Sequence, residues 1–181
     1  MDKLNKDINR VLYDQSRIEA RVRELGAELS KDFLDKNPVL VCILRGGVVF
    51  LSDLMRYMTI PLEIDFMSVS SYGDSTVSSG IVQIRKDIDI DVTNRHVIVI
   101  EDIVDSGLSL QYIIDFLEKR NPKTTSICAF LDKTSARKVP IKIDYFGFEV
   151  ENDFVVGYGL DFANKYRNLP YIGILKEEIY K

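Results

Sequence analysis

Two hydrophobic periods alternate along this chain. Ile18, Val22, Leu25, Leu29 and Phe33 recur at spacings of four, three, four and four, which predicts an amphipathic helix as the first element. Ser16 and Glu19 have the form of a capping box at its start. Pro38 precedes an unbroken apolar run, residues 39–44, read as a strand buried on both faces. Arg45-Gly46-Gly47 makes a turn, residues 48–58 read as a helix, and Pro61 leads into a strand at 62–69. Residues 70–80 are too rich in Ser and Gly for a regular element. Strands follow at 81–85 and 97–100, separated by an acidic turn at 87–91. Leu110, Ile113, Ile114 and Leu117 return to helical spacing until Asn121-Pro122 breaks the chain. Strands at 126–131, 144–150 and 171–175 complete the set. Strands alternating with helices predict an α/β fold with a mainly parallel sheet.

Composition narrows the class. A chain of 181 residues with 46% hydrophobic content is expected to form one α/β domain over residues 1–181. The net charge of −4, with Lys and Arg scattered, argues against nucleic acid as a partner. The charged N-terminal residues lack an apolar signal core, and no apolar run has the length of a membrane span. Cys42 and Cys128, each inside an apolar strand, read as small core residues in a reducing cytoplasm. His96, beside a buried strand, reads as structural.

The chemistry gathers where the strand at 97–100 ends. Glu101 and Asp102 follow it at once, then Asp105 and a Ser106-Gly107-Leu108-Ser109 loop, then a helix. In open α/β sheets that crevice binds ligands. The loop N–H groups and serine hydroxyls suit a phosphate. The acids would repel a bare polyphosphate, but suit sugar hydroxyls or an anion met through Mg²⁺. A ribose with a 5-phosphate, a free diol and a metal-bound pyrophosphate satisfies both.

The stretch 97–110 resembles the 5-phosphoribosyl 1-pyrophosphate (PRPP) motif of type I phosphoribosyltransferases, and more narrowly of the hypoxanthine-guanine phosphoribosyltransferases. Separate motifs agree in order over residues 44–180. The resemblance implies a type I phosphoribosyltransferase fold: a mainly parallel sheet flanked by helices, with a small hood built from N- and C-terminal segments. It implies a purine-salvage glycosyltransferase that joins hypoxanthine or guanine to PRPP, giving IMP or GMP and pyrophosphate. Mg²⁺ would be the cofactor, and the assembly a homodimer or homotetramer.

Residue by residue, the resemblance makes Asp105 the catalytic base beside the purine. Glu101 and Asp102 hold the ribose hydroxyls and, with Asp161, the metal. The 5-phosphate falls to residues 105–109: Asp105, Ser106, Gly107, Leu108 and Ser109. Arg45 and Gly46, in a loop the family often builds with a non-proline cis peptide, take the pyrophosphate with Arg167; the family's usual residue at 45 is Lys. Lys133 donates to the 6-oxo group of the purine, Phe154 stacks on its ring, and the main chain of Val155 reads its 2-position. Ser71 and Tyr72 match the tip of a lid. A cation at 133 donates only, so it favours a carbonyl and disfavours the amino group of adenine.

Two rivals predict other features. A PRPP-binding regulator should carry a basic surface or a DNA-binding segment. A general nucleotide-binding domain should carry G-x-x-x-x-G-K-[ST] or G-x-G-x-x-G. The chain has none of these.

Overall fold

The structure is a computed structural model that describes residues 2–71 and 82–181. In chain order its elements are α1 (Asp2–Asn5), β1 (Ile8–Tyr13), α2 (Gln15–Asp32), β2 (Val39–Leu44), α3 (Gly47–Tyr57), β3 (Glu63–Ser71), β4 (Val82–Lys86), β5 (His96–Val104), α4 (Leu108–Glu118), β6 (Thr124–Asp132), β7 (Tyr145–Glu149), β8 (Val155–Val156), β9 (Ile172–Leu175) and α5 (Glu177–Tyr180). A short 3₁₀ turn, Thr134–Ala136, follows β6.

Six strands form the main sheet in the order β4-β3-β2-β5-β6-β7. All neighbours are parallel except β3 and β4. The two central strands carry apolar residues on both faces, as their unbroken runs predict. Leu40, Cys42, Ile98 and Ile100 pack with α2 and α3 through Val22, Leu25, Phe50 and Leu54. Val39, Val41, Val97 and Val99 pack with Leu110, Ile113 and Leu117 of α4 on the other face. The period-two alternation of side chains divides each run between two cores.

A second sheet, β1-β9-β8, joins the two ends of the chain, with Ile8 opposite Leu175 and Val155 opposite Ile174. Its satellite core holds Val156, Tyr166, Leu169 and Leu175. The sequence pattern misses β1 because its middle residues are exposed and its pairing is broken by register shifts. It misses β8 because two residues carry no period.

Four further expectations are corrected. The first regular elements are α1 and β1, not the helix at 18–33. No capping box forms at Ser16 and Glu19. β1 ends at Tyr13, so Asp14 takes the cap; its carboxylate accepts from Arg17 N at 2.9 Å and from the Ser16 hydroxyl at 2.6 Å. The strand expected to end at Ile100 continues through Glu101 and Asp102 to Val104. Pairing with β6 carries it on, with Glu101 opposite Ala129 and Val104 opposite Asp132. Ser70 and Ser71, expected in an irregular segment, extend β3 by pairing with β4.

Candidate functional site

The end of β5 and the start of α4 enclose a cavity of about 310 Å³. Glu101, Asp102, Asp105, Ser106, Gly107 and Ser109 all line it. Gly107 turns the chain into α4 at φ +81°, a conformation that favours glycine. The helix therefore takes Gly107 as its N-cap, and Asp105 stays exposed, free of a capping role. The loop is braced from outside, since Lys138 N donates to Ser106 O at 2.9 Å. Ser106 Oγ accepts from Leu108 N at 3.4 Å.

Glu101 and Asp102 are coupled. Burial, then the adjacent Asp102 charge, pushes the Glu101 carboxyl well above the usual carboxylate range. Burial also raises Asp102, opposed by its hydrogen bonds to Glu101 and Ile103 N and by the Arg167 charge.

The β2–α3 turn closes on this pair. The Leu44–Arg45 peptide is cis. Gly46 lies so close to Asp102 that a Cβ there would overlap the carboxylate. A Cβ at Gly159, where φ is +101°, would overlap Gly46 O. Two glycines thus let the turn sit between β5 and the 157–160 turn. Arg45 Nη1 reaches Asn164 Oδ1 at 3.4 Å. Arg167 spends its fork locally, Nη1 on Gly159 O at 2.7 Å and Nη2 on Asp161 Oδ1 at 2.6 Å. Asp161 Oδ2 accepts from Asn164 N at 2.8 Å.

Lys133 joins the crevice to the second sheet. Its N–H donates to Val104 O at 3.0 Å, and its Nζ donates to Asp153 O at 3.2 Å. The next residue is Phe154, half-buried, whose carbonyl accepts from Leu175 N at 2.9 Å. Val155, in β8, is buried against the main core.

Residues 10–163 match the model of the phosphoribosyl transferase domain. The chain is 49% identical to the hypoxanthine-guanine phosphoribosyltransferase of Bacillus subtilis, over 98% of this chain and 99% of that protein. It is also 49% identical to the enzyme of the same name from Streptococcus thermophilus, over 98% of each. The chain belongs to the hypoxanthine-guanine phosphoribosyltransferase family. A solved hypoxanthine phosphoribosyltransferase from Staphylococcus aureus superimposes with a TM-score of 0.95 at 44% identity, covering 98% of this chain and 97% of that one.

Of the residues singled out in the sequence, Glu101, Asp102, Asp105, Ser106, Gly107 and Ser109 line the crevice, while Leu108, Arg45, Gly46, Lys133, Phe154, Val155, Asp161 and Arg167 are outside its lining. Arg167 borders a larger cavity of about 540 Å³ between α2, α3 and the 158–170 segment, lined by Asp53, Arg56 and Tyr158. Ser71 ends β3, while Tyr72 lies outside the described residues. His96 is structural as expected: it is buried, its Nδ1 is 2.7 Å from Thr124 Oγ1, and burial followed by Lys123 and Lys36 lowers its pKa. Sequence reasoning missed Gly159, Asn164 and Asp153. Only Gly159 left a signal, as the second glycine of Gly157-Tyr158-Gly159; the other two act through loop geometry.

Proposed function

We infer that this chain, as a member of that family, is a purine-salvage transferase. It joins hypoxanthine or guanine to PRPP, giving IMP or GMP and pyrophosphate. The observation that carries this reading is the position of Lys133. It is tied by its backbone to the end of the phosphoribose crevice and by its ammonium to the residue before Phe154. One residue therefore links the crevice read as the sugar's site to the segment read as the base's.

In this reading residues 105–109 take the 5-phosphate on backbone N–H groups at the start of α4. Glu101 and Asp102 accept from the ribose diol. Gly46 offers its backbone to the pyrophosphate, and Arg45 and Arg167 supply cationic forks. Phe154 stacks on the base, Val155 meets its 2-position through the main chain, and Lys133 donates to the 6-oxo group. Asp105, exposed at the crevice mouth, takes the proton from the purine nitrogen as that nitrogen bonds to C1 of the ribose and pyrophosphate departs. Its carboxylate also offsets positive charge on an oxocarbenium-like sugar. Ser71 and Tyr72 belong to a lid that keeps water from that sugar.

Mg²⁺ is the proposed metal; among the described residues no three Asp, Glu, His or Cys side chains converge on one metal position, so the adjoining pair Glu101 and Asp102 would hold the ion and Asp161 would have to move to join them. Glu101, Asp102 and Asp161 offer hard oxygens, and the first two are adjoining carboxylates whose repulsion a cation relieves. Bound there, the ion would neutralise the leaving pyrophosphate. Before that, Asp161 must exchange its Arg167 partner.

Residues 1–181 act as one domain in this proposal, with the β1-β9-β8 sheet as a hood over the base. A homodimer or homotetramer is the expected assembly, checked by light scattering. The free, buried Cys42 and Cys128 suit a reducing cytoplasm. No described helix is long and apolar enough to cross a membrane. The deciding experiment is a steady-state assay with PRPP and Mg²⁺ offering hypoxanthine, guanine, xanthine and adenine separately. Turnover of 6-oxopurines with adenine inert is expected; turnover of adenine, or of no base, overturns the reading.

A further inference from the structure

Phe154 has two ring faces, and the structure gives one of them a partner. The Tyr180 ring lies parallel to it, with centroids 4.7 Å apart and planes inclined by 20°. Phe162 meets Phe154 edge to face, at 5.5 Å and 89°. Tyr180 reaches this position because β9 leads straight into α5. Lys176, between them, donates its N–H to Asp7 O at 2.9 Å, which fixes the start of the turn.

Tyr180 packs with the hood rather than the crevice. With Ile179, Tyr171, Ile8, Leu4 and Phe154 itself, it packs against the satellite core of Val156 and Leu175. The groups that line the phosphoribose cavity are absent from that cluster. Phe154 is half-buried, and Lys133 Nζ lies on the carbonyl of the residue just before it. Tyr180 thus covers one face of the ring, and the purine of the proposed function would stack on the opposite face.

We propose that Tyr180 is a positioning residue for the purine. It backs the Phe154 ring and holds it in the plane on which the base stacks. The inference rests on the reading of Phe154 as the purine's stacking partner. An unsupported phenyl ring turns about its side-chain bonds, and ordering it would oppose base binding. A ring held parallel to a second ring meets the base already oriented. Tyr180 touches neither substrate, so its effect falls on the base and not on PRPP.

The test is steady-state kinetics of Tyr180→Ala, Tyr180→Phe, Phe154→Ala and the double variant. Tyr180→Ala should raise KM for hypoxanthine about 3- to 10-fold, the scale of an aromatic pair. KM for PRPP and kcat should stay within about twofold. Tyr180→Phe should keep the parental values, since the contact is ring on ring. In the Phe154→Ala background, Tyr180→Ala should add nothing. An unchanged or lowered purine KM in Tyr180→Ala, or equal rises in both KM values, overturns the proposal. If Phe154→Ala itself leaves the purine KM unchanged, the stacking reading of Phe154 falls, and this proposal with it. If only Tyr180→Ala is silent, the proposal alone falls.

Tyr180→Trp keeps the question open to measurement should Tyr180→Ala not fold. The chain has no tryptophan, so the new indole is a single probe. Its emission maximum should hold steady as IMP binds. A red shift, from a ring expelled into water, would show that Tyr180 competes for the base's place, and overturns the proposal.

Discussion

Gly46 lies flat against the Asp102 carboxylate, leaving no room for even a methyl group between them. The backbone at Gly46 is ordinary right-handed helical, φ −63°, so any side chain there fails on space and not on conformation. The ribose carboxylate and the pyrophosphate turn of the proposed site are therefore one unit. Gly46→Ala should displace Asp102 and weaken PRPP binding by about 10- to 100-fold, the scale of losing one hydrogen bond to a charged group. Titration calorimetry with PRPP and Mg²⁺ checks this, with thermal melting as the control for folding.

Asp105 is exposed and is not the cap of α4. Asp105→Asn should therefore leave the fold and PRPP affinity nearly intact while kcat falls by roughly 10²–10⁴, the usual contribution of a general base. Single-turnover kinetics would separate the chemical step from product release. Unchanged turnover would remove Asp105 from the mechanism.

In the proposed function Lys133 contributes a charged donor toward the base. Lys133→Ala should raise KM for hypoxanthine by about 10- to 100-fold, from a charge-assisted hydrogen bond of roughly 1.5–3 kcal/mol. KM for PRPP should stay within about twofold. Equal losses for both substrates would make Lys133 a brace, acting through Val104 and Asp153 alone.

Glu101 links the site to pH. Its folded pKa is raised, mainly by burial and then by Asp102, so the folded state binds a proton that the unfolded state has released. Between the two pKa values stability falls as pH rises. Glu101→Gln should therefore melt higher than the parent at pH 8, by about 2–4 °C for each roughly 1 kcal/mol relieved. The gap should close toward pH 4, where both carry a neutral side chain. Melting curves across that range, without substrate or metal, test the sign. A gap that widens in acid would refute it.

Local pattern explains how much of this was readable in advance. The run 39–44 and the run 97–100 have no polar position, so they had to lie in a sheet covered on both faces. The Asp105-to-Ser109 loop was legible because every residue of the proposed phosphate turn is contiguous, and neither distance nor orientation is needed to see it. β1 was illegible because its middle faces solvent, and its reason to be a strand lies 167 residues away, in the ladder of Ile8 with Leu175.

The sequence by itself determined the two-core α/β sheet, the crevice at the end of β5 and the identities of the acids in it. Periodicity and contiguous motifs are properties of neighbours in the chain. Only the tertiary structure decided that Asp102 meets Gly46, that Lys133 spans from Val104 to Asp153, and that Tyr180 backs Phe154. Those relations join residues far apart in sequence. Chain closure and packing set them, and no local pattern carries that information.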